Sequence, residues 1–253
     1  DYIGMLGIGA KVPFAYHTKS FTLESWFDGT HTIYSAHIGE DLLPKLVKMS
    51  ETPSKEKPGV KIVIPVIQSD IYNFQEAAKK VYTWFEPKPK INGTVLNIPK
   101  IESILKGDSE WELRKADYNI YSGAMAVMGS MAYPISFQDT SLSPELTALL
   151  TTPVTLFFKL GDVDIAASRE SLSYDVKTKS NIITRFKQIV DELNSRVDKE
   201  VANCKTLFEA RQKVGQVLQK LPSPTLKNCI NLNQVKFNGG ELFPKSAVNL
   251  YDL

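Results

Sequence analysis

Cysteine is nearly absent from this chain, with only Cys204 and Cys229 among 253 residues. The two stand too far apart for a Cys-x-x-Cys metal knuckle, so they do not make a zinc-staple fold. Two readings of the pair stay open, a disulfide and a pair of reduced intracellular thiols, of which the second is the plainer. Long apolar runs are lacking too. No stretch approaches the ~18 apolar residues of a bilayer span, and the opening residues do not read as a secretory signal. Excess charge of one sign is also missing. Thirty Lys and Arg face 28 Asp and Glu, for a net charge of +2, which is too small to draw nucleic acid or a membrane by bulk attraction. Histidine occurs only at 17, 31 and 37. His31 and His37 fall on one face of a predicted strand, but no Cys or paired carboxylate joins them, so ordinary histidines are expected rather than a metal site. Serine is plentiful, yet there is no Gly-x-Ser-x-Gly elbow for a nucleophile.

Hydrophobic residues make up 43% and charged residues 23%, the balance of a globular chain that can bury a core in one large or two ordinary domains. Alternating runs at Ser20–Phe27 and His31–His37, joined by Asp28-Gly29, predict a β-hairpin. Charged and proline-bearing residues from Ser50 to Pro58 predict a solvated loop. Val60–Val66 predicts a strand, and Phe74, Ala77, Ala78, Val81 and Phe85 predict a helix over 70–85. Pro87-Lys88-Pro89 then marks a boundary. Beyond it, Asn92-Gly93 is a turn and Ala124–Ile135 reads as an apolar strand interrupted at Gly129. Val154–Leu160 and Val163–Ala167 read as a strand pair turning at Gly161-Asp162. Ile182, Phe186, Ile189, Leu193, Val197, Val201 and Cys204 form one stripe of a long helix. That stripe is mainly core, with a partner-helix or dimer contact as the other reading. A further helix covers Leu207–Leu221, and residues 222–253 read as loop with weak strand signals. Trp26, Phe27, Trp84 and Phe85 are expected in core and domain-edge packing.

The chemistry-bearing feature is the opening Gly4-Met5-Leu6-Gly7-Ile8-Gly9-Ala10-Lys11, which runs through Pro13 into a short helix. Glycines let the backbone approach an anion, a helix start offers free N–H groups, and Lys11 adds a charge. No strand precedes the loop and no βαβ unit surrounds it, so the Rossmann reading fails. Its spacing is not that of a Walker A loop either.

The longer string Ile3–Tyr16 followed by Ser20-Phe21-Thr22-Leu23 resembles the glycine box and lid of the rIIA lysis-inhibition proteins of T-even phages. More distantly it resembles the same box in GHKL ATPases such as the heat-shock chaperones, MutL and gyrase B. The resemblance continues through Gly59–Val66, Tyr133-Pro134-Ile135 and Gly161–Ser173, which contains Ser168-Arg169-Glu170-Ser171-Leu172. It implies an α+β fold: the C-terminal part of a GHKL (Bergerat) ATP-binding sandwich over 1–88, a transducer-like domain with long helices over 89–221, and a C-terminal extension over 222–253. It further implies that Gly4, Gly7, Gly9 and Lys11 lie on the phosphate side of ATP, and that Arg169 reaches the terminal phosphate as the catalytic arginine. The residue pattern alone gives Arg169 another reading, a salt bridge with Glu170 or Asp164.

The family's Glu and Asn, which activate water and hold Mg2+, and its Asp-x-Gly adenine loop all precede the glycine box. ATP hydrolysis is therefore expected only from a longer polypeptide that supplies them, and this segment alone is not expected to bind ATP and Mg2+ tightly. Val60 departs from a Thr that many members place near the adenine. The alternative is a relative that keeps the scaffold as an interaction module without ATP hydrolysis. The resemblance also implies a protein partner or homodimer, and a place in the cytoplasm of an infected bacterium with peripheral membrane association.

Overall fold

The computed structural model describes residues 8–16, 19–91, 93–95, 98, 100–115, 122–137, 142–167, 170–221 and 224–243. Within them the protein is α+β, and the chain divides into two units, Asp1–Glu76 and Ala77–Leu253.

In the first unit β1 (Ser20–Phe27) and β2 (Thr30–Ile38) form the expected hairpin, paired from Phe27↔Thr30 to Ser20↔His37. Asp28 at φ 48° and Gly29 at φ 73° both take left-handed conformations, as a two-residue turn matched to strand twist requires. Next come β3 (Pro44–Pro53) and β4 (Gly59–Val63), which complete an antiparallel sheet in the order β3-β2-β1-β4. The loop expected over 50–58 is thus corrected, because Ser50–Pro53 belongs to β3 and pairs with β2. All ten β3 residues are exposed, so this edge strand has no buried face and shows no period-two alternation. The strand expected over Val60–Val66 ends at Val63, ahead of Pro65, whose ring removes a ladder donor. The following α1 (Ile71–Tyr82) carries the boundary between the units and has no buried residue. Among the described residues of this unit, only Phe21 and Ala36 are buried apolar side chains, and they face each other across β1 and β2.

The second unit opens with a short hairpin of β5 (Lys90–Ile91) and β6 (Thr94–Val95), with Gly93 at φ 77°. Its main sheet contains β7 (Ser103–Lys106), β8 (Trp111–Arg114), β9 (Met125–Met128), β10 (Met131–Pro134) and β11 (Val154–Phe158) in the order β10-β9-β11-β8-β7. The single strand expected over Ala124–Ile135 is a hairpin instead, and Gly129 at φ 62° is part of its turn. Of the strand pair expected at 154–167, only β11 forms. Past Gly161 there are isolated bridges, Leu160↔Val163 and Ile165↔Leu172. Two helices bracket the sheet in sequence: α2 (Pro144–Leu150) precedes β11, and α3 (Val176–Ala202) follows the bridged turn.

The long helix forms as expected from Ile182 to Val201, but it ends at Ala202, so Cys204 lies past its C-cap and is off the stripe. At 27 residues it is about 40 Å long. Ile182, Phe186, Ile189, Leu193, Val197 and Val201 are buried along it in one core with Leu113, Ala126 and Leu156 of the sheet. Burial of each such side chain contributes about 1.5–3 kcal/mol. The Asp175 side chain caps its N-terminus, accepting from Thr178 N at 2.7 Å. Then α4 (Leu207–Gln219) adds Ala210, Val214 and Leu218 to the core. The expected loop after 222 contains α5 (Pro224–Lys227) and a hairpin of β12 (Lys236–Phe237) and β13 (Gly240–Glu241). Phe27 corrects another expectation: it is 76% exposed, so it is not core. Both cysteines are free thiols. Among the described residues no helix is long and apolar enough to cross a membrane.

Candidate functional site

Two segments carry the residues singled out by the sequence. The first is a 3-10 helix, Ile8–Ala15, that includes Gly9, Lys11 and Pro13. Eight residues is long for this poorly bonded helix type. Gly4, Gly7 and His17, and the Lys11 side chain, lie outside the described residues. The end of the helix is fixed in its own unit. The ring of Phe14 lies 5.1 Å from that of the buried Phe21. Tyr16 meets Phe74 edge-on at 5.7 Å, its hydroxyl donates to Asp70 Oδ2 at 2.7 Å, and Ile67 N donates to that hydroxyl at 3.2 Å. Desolvation, and then the bond to Asp70, push the phenol above its ordinary range. The glycine-bearing turn is therefore tied to the sheet and to α1 at its C-terminal end.

The second segment surrounds Arg169, which with Ser168 lies outside the described residues. Its flanks are well defined. Ala166 N donates to Ser171 O at 2.9 Å, Ser173 N donates to Asp164 O at 2.7 Å, and Ile165 bridges Leu172. Residues 164–166 and 171–173 are thus the two arms of a small irregular hairpin, with Arg169 in the stretch that joins them. Side chains of α3 hold its base. Thr178 Oγ1 accepts from Asp164 N at 2.9 Å, Lys177 Nζ donates to Gly161 O at 2.6 Å, and Asn181 Nδ2 donates to Asp162 O at 2.6 Å. Three separate bonds thus tie residues 161–164 to the first two turns of α3.

The sequence did not single out one polar group on the first sheet. Glu24 accepts from Lys61 Nζ at 2.7 Å and lies 3.2 Å from His31 Nε2. The Lys61 bond above all, together with His31, keeps this carboxylate below its ordinary pKa despite partial desolvation. His31 also stacks on Trp26 with ring centroids 4.3 Å apart. The cue was present in the strand registers, since Trp26 opposes His31 and Glu24 opposes Lys61. Among the described residues no group of three or more His, Cys, Asp or Glu could hold a metal, so none of them is assigned to Mg2+. In the second unit a cavity of about 950 Å³ lies between α2, α3 and the 227–234 segment.

No protein-family model and no curated protein matches the chain. Solved structures similar to it include the B subunit of DNA gyrase from Myxococcus xanthus, at 10% identity. That match covers 69% of this chain and 67% of that one, with a TM-score of 0.29. Another is the ATP-binding domain of topoisomerase IV from Francisella tularensis, in complex with a small-molecule inhibitor, at 15% identity. It covers 87% of this chain and 74% of that one, with a TM-score of 0.34.

Proposed function

We propose that the chain is the rear part of a GHKL-type ATP-binding domain with a transducer-like domain after it, in a phage rIIA-like factor for lysis inhibition or resistance to host exclusion. The observation that carries this reading is the pair of hairpin arms on either side of the Ser168-Arg169 stretch. A Ser-Arg-Glu stretch joins the arms of a hairpin whose base is bonded to the start of a 27-residue helix. An arginine in the stretch between those arms is proposed to respond to a phosphate and pass the response into α3. The glycine segment fits the same reading, since the resemblance implies that Gly4, Gly7 and Gly9 would give N–H groups to an anion and Lys11 a charge. Turnover also needs the Glu/Asn helix and the Asp-x-Gly loop that the family places before its glycine box.

A second reading, a non-catalytic interaction module on the same scaffold, is favoured by a specific feature. Ile71, Phe74 and Val81 share one face of α1 and are all exposed. Phe74 packs on one side against Tyr16, and Ile71 and Val81 would give a partner the rest of this apolar face.

The test is made on the protein at its native length, comparing parent with Arg169→Ala. The proposed function expects ATP binding to be retained and ATP-dependent turnover to fall by roughly 10³-fold. Unchanged turnover would remove Arg169 from the mechanism. Undetectable ATP binding with partner binding intact would establish the interaction module instead.

A further inference from the structure

The two arms of the 164–173 hairpin are held by different elements. Leu172, in the second arm, is buried in the core. Just after that arm, the Tyr174 hydroxyl accepts from Ser136 N at 2.7 Å and donates to Pro134 O at 3.3 Å, at the end of β10. The first arm is bonded to the second, and residues 161–164 are bonded to α3. Those bonds from α3 are not equivalent. Lys177 and Gly161 are both exposed, so water serves their ammonium and carbonyl when that bond is lost. Thr178 is 0% exposed, and its hydroxyl is the acceptor for Asp164 N at 2.9 Å.

Thr178 has a second duty at the start of α3. It is the third helical residue after the Asp175 N-cap, and side chains in a helix tilt back toward its N-terminus. Its N–H donates to Asp175 Oδ1 at 2.7 Å. That N–H first, and then the Thr178 hydroxyl, hold the Asp175 carboxyl below the usual carboxylate range. A hydroxyl has one hydrogen to donate and lone pairs that accept. The two duties are therefore compatible: it donates to Asp175 and accepts from Asp164 N. Asp164 O in turn accepts from Ser173 N at 2.7 Å. A continuous series of bonds thus runs from the cap of α3 through Thr178 and Asp164 to the second arm.

We infer that Thr178 is a positioning residue that locks the 164–173 hairpin to the N-cap of α3, so that cap and hairpin open together. Any use of this lock by Arg169 rests on the proposed function, whereas the lock itself does not. The test is amide hydrogen exchange on the full chain without nucleotide, so its outcome is independent of ATP binding. Rates are read at Asp164, Ala166 and Ser173, and at Ile189 and Leu193 in the middle of α3. Thr178→Val keeps the side-chain shape and the N–H but deletes the hydroxyl. It is expected to speed exchange at the three hairpin amides by about tenfold and to leave Ile189 and Leu193 unchanged. Thr178→Ser returns the hydroxyl on a smaller side chain and should restore the parent rates, which a role in packing alone would not allow. Asp175→Ala, which removes the cap and keeps the hydroxyl, should speed the same three amides, and Lys177→Ala should not. If Thr178→Val fails to fold, Thr178→Ala gives the same reading. Hairpin rates unaltered by loss of the hydroxyl or of the cap, or not restored by Thr178→Ser, would overturn the proposal, as would an equal effect of Lys177→Ala.

Discussion

Glu192 shows how much one side chain of α3 does for the second unit. Its carboxylate accepts from Asp108 N, Ser109 N and Trp111 Nε1, each at 2.9 Å, and from the Ser109 hydroxyl. Partial burial pushes its pKa up, but these bonds together outweigh that and hold it below the ordinary carboxylate range. A depressed carboxylate stabilises the fold at pH values above its unfolded pKa. The contribution is lost as pH falls through the lower folded value. Glu192→Gln keeps the shape and removes the charge. With allowance for the group's partial exposure, it should cost on the order of 1–2 kcal/mol at pH 7. The gap to the parent should shrink once pH drops below about 4.3. Urea unfolding of both proteins at pH 7 and at pH 3 measures this, and equal stability at pH 7 would show that the carboxylate's charge contributes nothing net. Gly107 explains why the site is tight, since a Cβ there would lie 1.9 Å from Trp111 Nε1.

At the scale of elements, α4 is started by its cap. Thr206 Oγ1 accepts from Glu209 N at 3.1 Å, and Glu209 Oε2 accepts from Lys205 N at 2.9 Å. Thr206→Ala should therefore cost about 1 kcal/mol, read as a lower urea midpoint with an unchanged slope. A variant as stable as the parent would show that packing of Ala210, Val214 and Leu218 alone sets the helix. The elements legible in the sequence were those whose own residues carry the signal. The β1–β2 hairpin was announced by Asp28-Gly29, and α3 by its stripe from Ile182 to Val201. The ones missed depend on partners far away in the chain. β3 is a strand because β2 offers it a ladder, although none of its side chains is buried. Gly129 reads as an interruption in the sequence, because a turn and a kink look alike until the strands pair. Val163–Ala167 alternates like a strand but finds only one-residue bridges, since α3 takes up Asp162, Asp164 and Gly161. Of the candidate site, the sequence supplied the residue types, and the fold supplied what sequence spacing cannot show. That addition is the set of bonds from α3 to residues 161–164 and the Tyr16–Asp70 tie at the end of the 3-10 helix.

For the whole molecule, the decisive contrast is between its two units. The first is an antiparallel sheet with Phe21 and Ala36 as its buried apolar residues, and the second holds every other buried apolar residue among those described. Local opening follows buried apolar contact, so β3, β4 and α1 are expected to exchange amide hydrogens fast, and the middle of α3 slowest. Repeated with ATP and Mg2+ on the native-length protein, hydrogen exchange tests the nucleotide-gated role itself. The proposed function expects ATP to slow exchange at the glycine segment before Lys11 and in the 164–173 hairpin together. It expects Arg169→Ala to abolish the second effect and keep the first. Exchange unaltered by ATP in both segments would contradict a nucleotide-gated role for this chain.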